Sequence, residues 1–213
     1  MRLYLSSHGI GNIPSRLHAL LGNQKRIAMI FNAYDTKTID ERVERRARYS
    51  KLLTDTGLVV EEIDLRDYIH QPDVLSKKLV TFDGVMVTGG NVFVLRRIMH
   101  DSGFDVVIKN LLAEDRLVYA GWSAGICVLS PDLRGLDFVD DLGAVRATYD
   151  LAPILSGLDL IPYSIAPHYR SAHDESSAID TVVEFFQREK IPFKTLADGQ
   201  VIVIDGEREE IVE

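Results

Sequence analysis

The stretch from Leu117 to Ile126, Leu-Val-Tyr-Ala-Gly-Trp-Ser-Ala-Gly-Ile, constrains the fold more than any other part of the chain. Leu117, Val118, Tyr119 and Ala120 fit a short strand covered on both faces, as in a parallel sheet. Gly121-Trp122-Ser123-Ala124-Gly125 then matches Gly-x-Ser-x-Gly, the pattern of a sharp strand-to-helix turn. Such a turn forces the serine into a strained backbone and crowds its neighbours. Glycine on each side removes the side chains that would clash. The serine oxygen then stands at the carboxyl end of the sheet, beside the first free N–H groups of a helix, where negative charge is favoured. One turn can thus supply a nucleophile and half of an oxyanion hole. Any α/β strand-to-helix turn favours Gly and Ser, but the apolar strand before this one puts the motif where the chemistry requires it.

The remaining strands and helices fit an α/β chain. Leu3 to Leu5 begin a first strand, and Asn12 to Leu21 read as a helix. Arg26 to Phe31 is a buried strand, with Asn32-Ala33-Tyr34-Asp35 at its carboxyl end, where such folds place ligand contacts. Tyr34 is a candidate substrate contact, and Asp35 is read as a turn or helix cap. Ile39 to Thr56 is a helix with a charge-laced, solvated face, and Val59 to Ile63 is the next strand. Pro72 to Leu79 is a short helix. The strand Val85-Met86-Val87 ends in Thr88-Gly89-Gly90-Asn91 and opens a helix near Val92; paired glycines there let backbone N–H groups approach a ligand closely. That turn reads either as the other half of an oxyanion hole or as a tight turn with an Asn cap. Val92 to His100, Phe104 to Leu112, Ala124 to Leu129 and Glu175 to Lys190 are further helices. Pro131 to Asp141 is an acidic loop. Leu160 to Ala166 resembles a strand, with Pro162 confining its start to an edge. Val201 to Ile204 and Ile211-Val212 form a hairpin about Asp205-Gly206.

A length of 213 residues suits one α/β domain over 1–213. The single cysteine, Cys127, excludes an intramolecular disulfide and is read as a packed residue rather than a second nucleophile. A net charge of -8 without a run of Lys and Arg argues against a nucleic-acid partner. No stretch has the apolar length of a signal core or a membrane span, so a soluble, cytoplasmic protein is expected, as monomer or homodimer.

A serine hydroxyl needs a general base. Of six histidines, His18 and His100 fall in helices away from strand ends and His70 in a polar connection. His8 follows the first strand and stays open. His168 follows an apolar strand at the rim where Ser123 emerges and is the preferred base, with His173 on the more exposed side of the same loop. The imidazole needs a carboxylate to fix its tautomer. Asp137 and Asp198 are the candidates, and spacing does not choose between them.

Together, Gly121-Trp122-Ser123-Ala124-Gly125, Thr88-Gly89-Gly90-Asn91 and Pro167-His168-Tyr169 resemble the peptidase E (aspartyl dipeptidase) family of the class I glutamine amidotransferase-like superfamily. Their order and spacing match over most of the chain. The resemblance implies a three-layer, mostly parallel, flavodoxin-like α/β sandwich and a serine peptidase without cofactor or metal, acting on small peptides. It implies Ser123 as nucleophile, His168 as base, and the N–H groups of Ala124 and of Gly89 or Gly90 as oxyanion donors. Asp137 lies near the aspartate of the family's loop after the nucleophile helix. Asp198 stands where the family has a Pro-Glu-Gly glutamate, with a shorter reach; Asp137 is preferred. One departure bears on specificity. The family's Glu-Thr-Arg segment, whose arginine is expected to hold a substrate aspartate, is matched by His173-Asp174-Glu175-Ser176-Ser177-Ala178, without an arginine. Arg170 is the nearby substitute, and Asn91 and Tyr34 complete the expected substrate contacts. Acyl-transfer chemistry is therefore expected more firmly than Asp-X specificity. The rival readings are a non-catalytic relative that binds a small ligand in the same pocket, and an unrelated α/β-hydrolase esterase.

Overall fold

The computed structural model describes residues 1–23 and 25–213. Seven strands form one sheet in the order β3-β2-β4-β5-β1-β8-β9. They are β1 (Arg2–Ser6), β2 (Arg26–Ile30), β3 (Val59–Glu62), β4 (Gly84–Val87), β5 (Val118–Trp122), β8 (Val201–Asp205) and β9 (Arg208–Val212). The first five run parallel, and the β8–β9 hairpin adds to β1 antiparallel. A separate parallel pair joins β6 (Ser164–Ala166) to β7 (Phe193–Thr195).

Side chains that alternate along each strand feed two cores, one on each face, which makes three layers. Tyr4, Ile27, Met29, Val118, Ala120 and Trp122 pack under α1 (Pro14–Leu21) and α2 (Ile39–Thr54). Leu3, Leu5, Ala28, Ile30, Val85, Val87 and Tyr119 face α3 (Pro72–Leu79), α4 (Val92–Asp101), α5 (Phe104–Ala113) and α8 (Ser176–Arg188). The central strands are buried on both faces, which is why their sequences read as apolar runs rather than alternating ones. Among the described residues, no helix is long and apolar enough to cross a membrane.

Several boundaries differ from the sequence expectation. The helix expected from Asn12 starts at Pro14, because proline at the first helical position has no N–H to leave unpaired. The strand expected over 160–166 shrinks to Ser164–Ala166 and leaves the main sheet to pair with β7. The helix after Ser123, α6, spans only Ala124–Cys127. The acidic loop contains a short 3-10 turn at Leu136–Phe138, and the unexpected α7 (Gly143–Tyr149) follows it. Asp35 closes the short 3-10 helix Asn32–Tyr34 and does not cap the long helix that follows. Thr38 caps α2 through a reciprocal capping box with Glu41, while Asp35 is buried in an ion pair with Arg42 at 2.9 Å and accepts the Tyr149 hydroxyl at 2.6 Å.

Candidate active site

Register brings the site together. Ser6 of β1 pairs with Trp122 of β5, so the residues just past these two neighbouring strands, Ser7-His8 and Ser123, emerge side by side. β4 lies on the other side of β5 and delivers Gly89 and Gly90 to the same edge.

Ser123 holds φ 50° and ψ −122°, a region sparsely populated by residues with a side chain and costing on the order of 1–3 kcal/mol. The fold over-determines it. The Ser123 N–H donates to the Ser7 carbonyl at 3.2 Å. The buried Tyr119 hydroxyl donates to the Gly125 carbonyl at 2.6 Å, tying the elbow back to its own strand. A methyl group on Gly125 would lie 2.2 Å from the Val87 carbonyl oxygen, so only glycine lets the helix sit this close to β4. Gly89 touches Ser123, since a methyl group there would come 3.0 Å from the serine Cβ. Gly90 has φ +126° and lies against the Ala33 backbone. Ala124 is the first residue of α6 and its N–H has no intrahelical acceptor. Among the described residues, the N–H groups of Gly89 and Gly90 donate to no backbone carbonyl. Gly89 and Gly90 share the lining of one cavity with Ser123.

His168 is buried, with 1 % of its surface exposed. Its Nδ1 lies 2.7 Å from Oδ1 of Asp198, so the proton belongs on Nδ1 and the Nε2 lone pair is free. His168 and Ser123 both line a cavity of about 600 Å³, and among the described residues Ser123 Oγ has no hydrogen-bond partner. Burial pushes the His168 imidazole down to about 4, with the Asp198 hydrogen bond pulling the other way. Burial alone would raise Asp198, but hydrogen bonds from His168 and Ser7 hold it below the usual carboxylate range.

Asp198 is thus the carboxylate on the histidine, and the preference for Asp137 is corrected. Asp137 is exposed and accepts the Gly135 N–H at 3.0 Å within its own turn. Three residues further on, Asp140 turns inward and accepts the Val92 N–H at 2.8 Å. Burial pushes Asp140 up to about 7, helped by Glu175 nearby. Of the expected substrate contacts, Asn91 and Tyr34 line the cavity and Arg170 does not. Asn91 also caps α4, accepting from Phe93 N and Val94 N at 3.0 Å, while its amide donates one bond to the Asp141 carbonyl. Arg170 is exposed, with its guanidinium over the Tyr169 ring at 4.9 Å, and does not line the cavity. Tyr34 does line it, with its hydroxyl 2.9 Å from that of Tyr49. Cys127 is buried, donates to the Ile165 carbonyl at 3.5 Å, and has its thiol pushed up by burial, as befits a packed residue.

Ser7 was not anticipated. It is fully buried and joins all three groups: its Oγ accepts the His168 N–H at 2.8 Å and lies 2.9 Å from Asp198 Oδ1, while its carbonyl takes the Ser123 N–H. A serine after a first strand carries no local mark of such a role. Glu175 was passed over as a helix start, yet it faces the cavity with Oε2 at 3.9 Å from His168 Nε2.

Comparison with known proteins places this geometry in a family. The model of peptidase family S51 matches residues 6–212. The uncharacterized peptidase Lmo0363 of Listeria monocytogenes is 32% identical over 158 residues, covering 73% of this chain and 72% of that one. Peptidase E of Streptomyces coelicolor is 27% identical over 209 residues, 95% of this chain and 79% of that one. A provisional peptidase E protein from Listeria monocytogenes, known from a crystal structure, superimposes with a TM-score of 0.80 at 24% identity, covering 99% and 97% of the two chains. That likeness supports the fold, a mostly parallel α/β sandwich, and the family match removes the esterase reading. The chain therefore belongs to peptidase family S51 and is a peptidase.

Proposed function

We propose that the protein hydrolyses short peptides through Ser123, His168 and Asp198. The observation that carries this reading is the buried His168 imidazole, oriented by Asp198 on one side and sharing a cavity with the strained Ser123 on the other. Ser123 Oγ attacks the peptide carbonyl as His168 Nε2 takes its proton. The oxyanion is received by the N–H groups of Ala124 and of Gly89 or Gly90, a type of donor worth about 3 kcal/mol each in the transition state. His168 returns the proton to the leaving amine, and water, activated the same way, releases the acyl group. Asp198 holds the imidazole in the productive tautomer and stabilises its charged form.

The distribution of charge supports a small zwitterionic substrate. Lys37, Arg45 and Arg48 line one side of the cavity, and Asp140, Asp141, Asp174 and Glu175 another. Beside Ser123 the cavity wall carries Asp140 and Glu175 among apolar residues such as Val92, Leu136 and Ile179. Among the described residues no cation lines that wall, so an aspartate side chain held against it would meet like charge. Asp-X cleavage, the activity in the name of the Drosophila melanogaster relative "Probable alpha-aspartyl dipeptidase" (28% identical over 145 residues), is thus not the preferred reading here. Neutral or cationic side chains suit that wall better.

A dipeptide panel with Asp-X, Ala-X and Lys-X members tests both levels. Ser123→Ala is expected to lose roughly four orders of magnitude in kcat/KM or more, together with labelling by a fluorophosphonate. Full activity in that variant would overturn the mechanism, and a wild-type protein inert to both probes would favour a binding-only relative. Asp-X turned over faster than Ala-X would overturn the specificity alone.

A further inference from the structure

We propose that His8, His168 and His173 form an inhibitory site for a divalent transition-metal ion of the Zn²⁺ class, closing the peptidase by occupying the nitrogen that must accept the serine proton. The inference rests on the reading of His168 as the base. One ligand atom from each of the three imidazoles lies within 4.8 Å of the others. They come from two distant parts of the chain, the loop after β1 and the loop after β6, so local sequence does not account for their meeting.

Imidazole is a preferred ligand for zinc, with Zn–N near 2.0–2.1 Å, which sets tetrahedral ligand nitrogens about 3.3 Å apart. The trio must therefore close by up to about 1.5 Å. Two of its members can move. His8 is exposed, and its imidazole has no hydrogen bond among the described residues. His173 is half-buried on a loop. His168 is fixed, and its fixed state suits a metal: the Asp198 carboxylate on Nδ1 is the partner that metal-bound histidines ordinarily have, and it directs the Nε2 lone pair outward.

One rearrangement is required. His173 and His168 stack with ring centres 3.7 Å apart and planes 9° apart, so their in-plane lone pairs cannot converge on one ion. His173 must turn out of the stack, releasing the bond its Nδ1 accepts from the Glu175 N–H at 3.2 Å. The fourth position falls to water or to Glu175, whose Oε2 is already 3.9 Å from His168 Nε2. No bond to substrate is made or broken by the ion. It displaces the proton acceptor from its task and leaves Ser123 without a base.

The test uses the full chain with Zn²⁺ for kinetics and Co²⁺ as a spectroscopic probe. Zn²⁺ is expected to inhibit hydrolysis at micromolar concentration, with EDTA restoring it. His8→Asn and His173→Asn are each expected to weaken inhibition by about tenfold or more. Co²⁺ added to the Ser123→Ala protein should give the intense visible bands of low-coordinate cobalt, and the double His8→Asn, His173→Asn change should remove them. The Co²⁺ spectrum does not depend on turnover, so it separates failure of this site from failure of the peptidase reading. Aquo-ion bands alone, activation by Zn²⁺, or inhibition unchanged in both single variants would overturn the proposal.

Discussion

Ser123 and His168, the proposed nucleophile and base, line one cavity, yet they are held there by opposite means. Ser123 sits in the main sheet, at the end of β5 between β4 and β1. Its strained backbone is enforced by close packing, above all the contact of Gly125 with the Val87 carbonyl. His168 follows a three-residue strand outside that sheet. It too has a left-handed backbone, φ 59°, but it is held by hydrogen bonds that reach across the chain, from Ser7 and Asp198. Packing of backbone against backbone demands a particular residue type at particular neighbours. A polar network demands only that partners meet in space.

The difference can be broken experimentally. Asp198→Asn keeps the size of the side chain but permits the wrong imidazole tautomer, and kcat is expected to fall by up to about ten-thousand-fold, while Asp137→Asn leaves it unchanged. Steady-state kinetics on the two variants decide between the carboxylates; equal activity would remove Asp198 from the mechanism. Gly125→Ala should destabilise the elbow itself, by about 3–5 kcal/mol in urea unfolding, since neither the Val87 carbonyl nor α6 can move aside freely. Ser7→Ala breaks the network without touching the packing. The loss of buried hydrogen bonds is expected to lower kcat by about 10–100-fold with KM little changed. Restoration by Ser7→Thr but not by Ser7→Ala would sharpen the case for a positioning hydroxyl.

The smallest expected effect concerns Asp140. Its folded pKa, about 7, lies above its ordinary value, so the folded state holds a proton that the unfolded chain releases between about pH 4 and pH 7. Stability therefore falls as pH rises through that window, and the penalty is complete above it. Asp140→Asn should raise Tm by a few degrees at pH 8 and by nothing near pH 4, read by thermal melts at the two values. An equal shift at both would show that ionisation is not the cause.

The same contrast accounts for what the sequence could disclose. Gly121, Gly125, Gly89 and Gly90 advertise the elbow and the turn beside it, because the sterics that need them are local. The central strands are legible because burial on both faces leaves unbroken apolar runs such as Val85 to Val87. The carboxylate was not legible from spacing: Asp137 and Asp198 are chemically alike, and only the fold turns one to the histidine and the other to its own backbone. Ser7 was invisible for the same reason, since a buried serine serving three distant groups looks like any small residue after a strand. Asn91 was legible only as one of two options, and its amide went to the helix cap.

Because Ser7 and Asp198 stand 191 residues apart, the proposed catalytic centre closes only when β1 has been zipped to β8. On the proposed mechanism, a chain still emerging from the ribosome carries Ser123 long before it carries the carboxylate that orients His168.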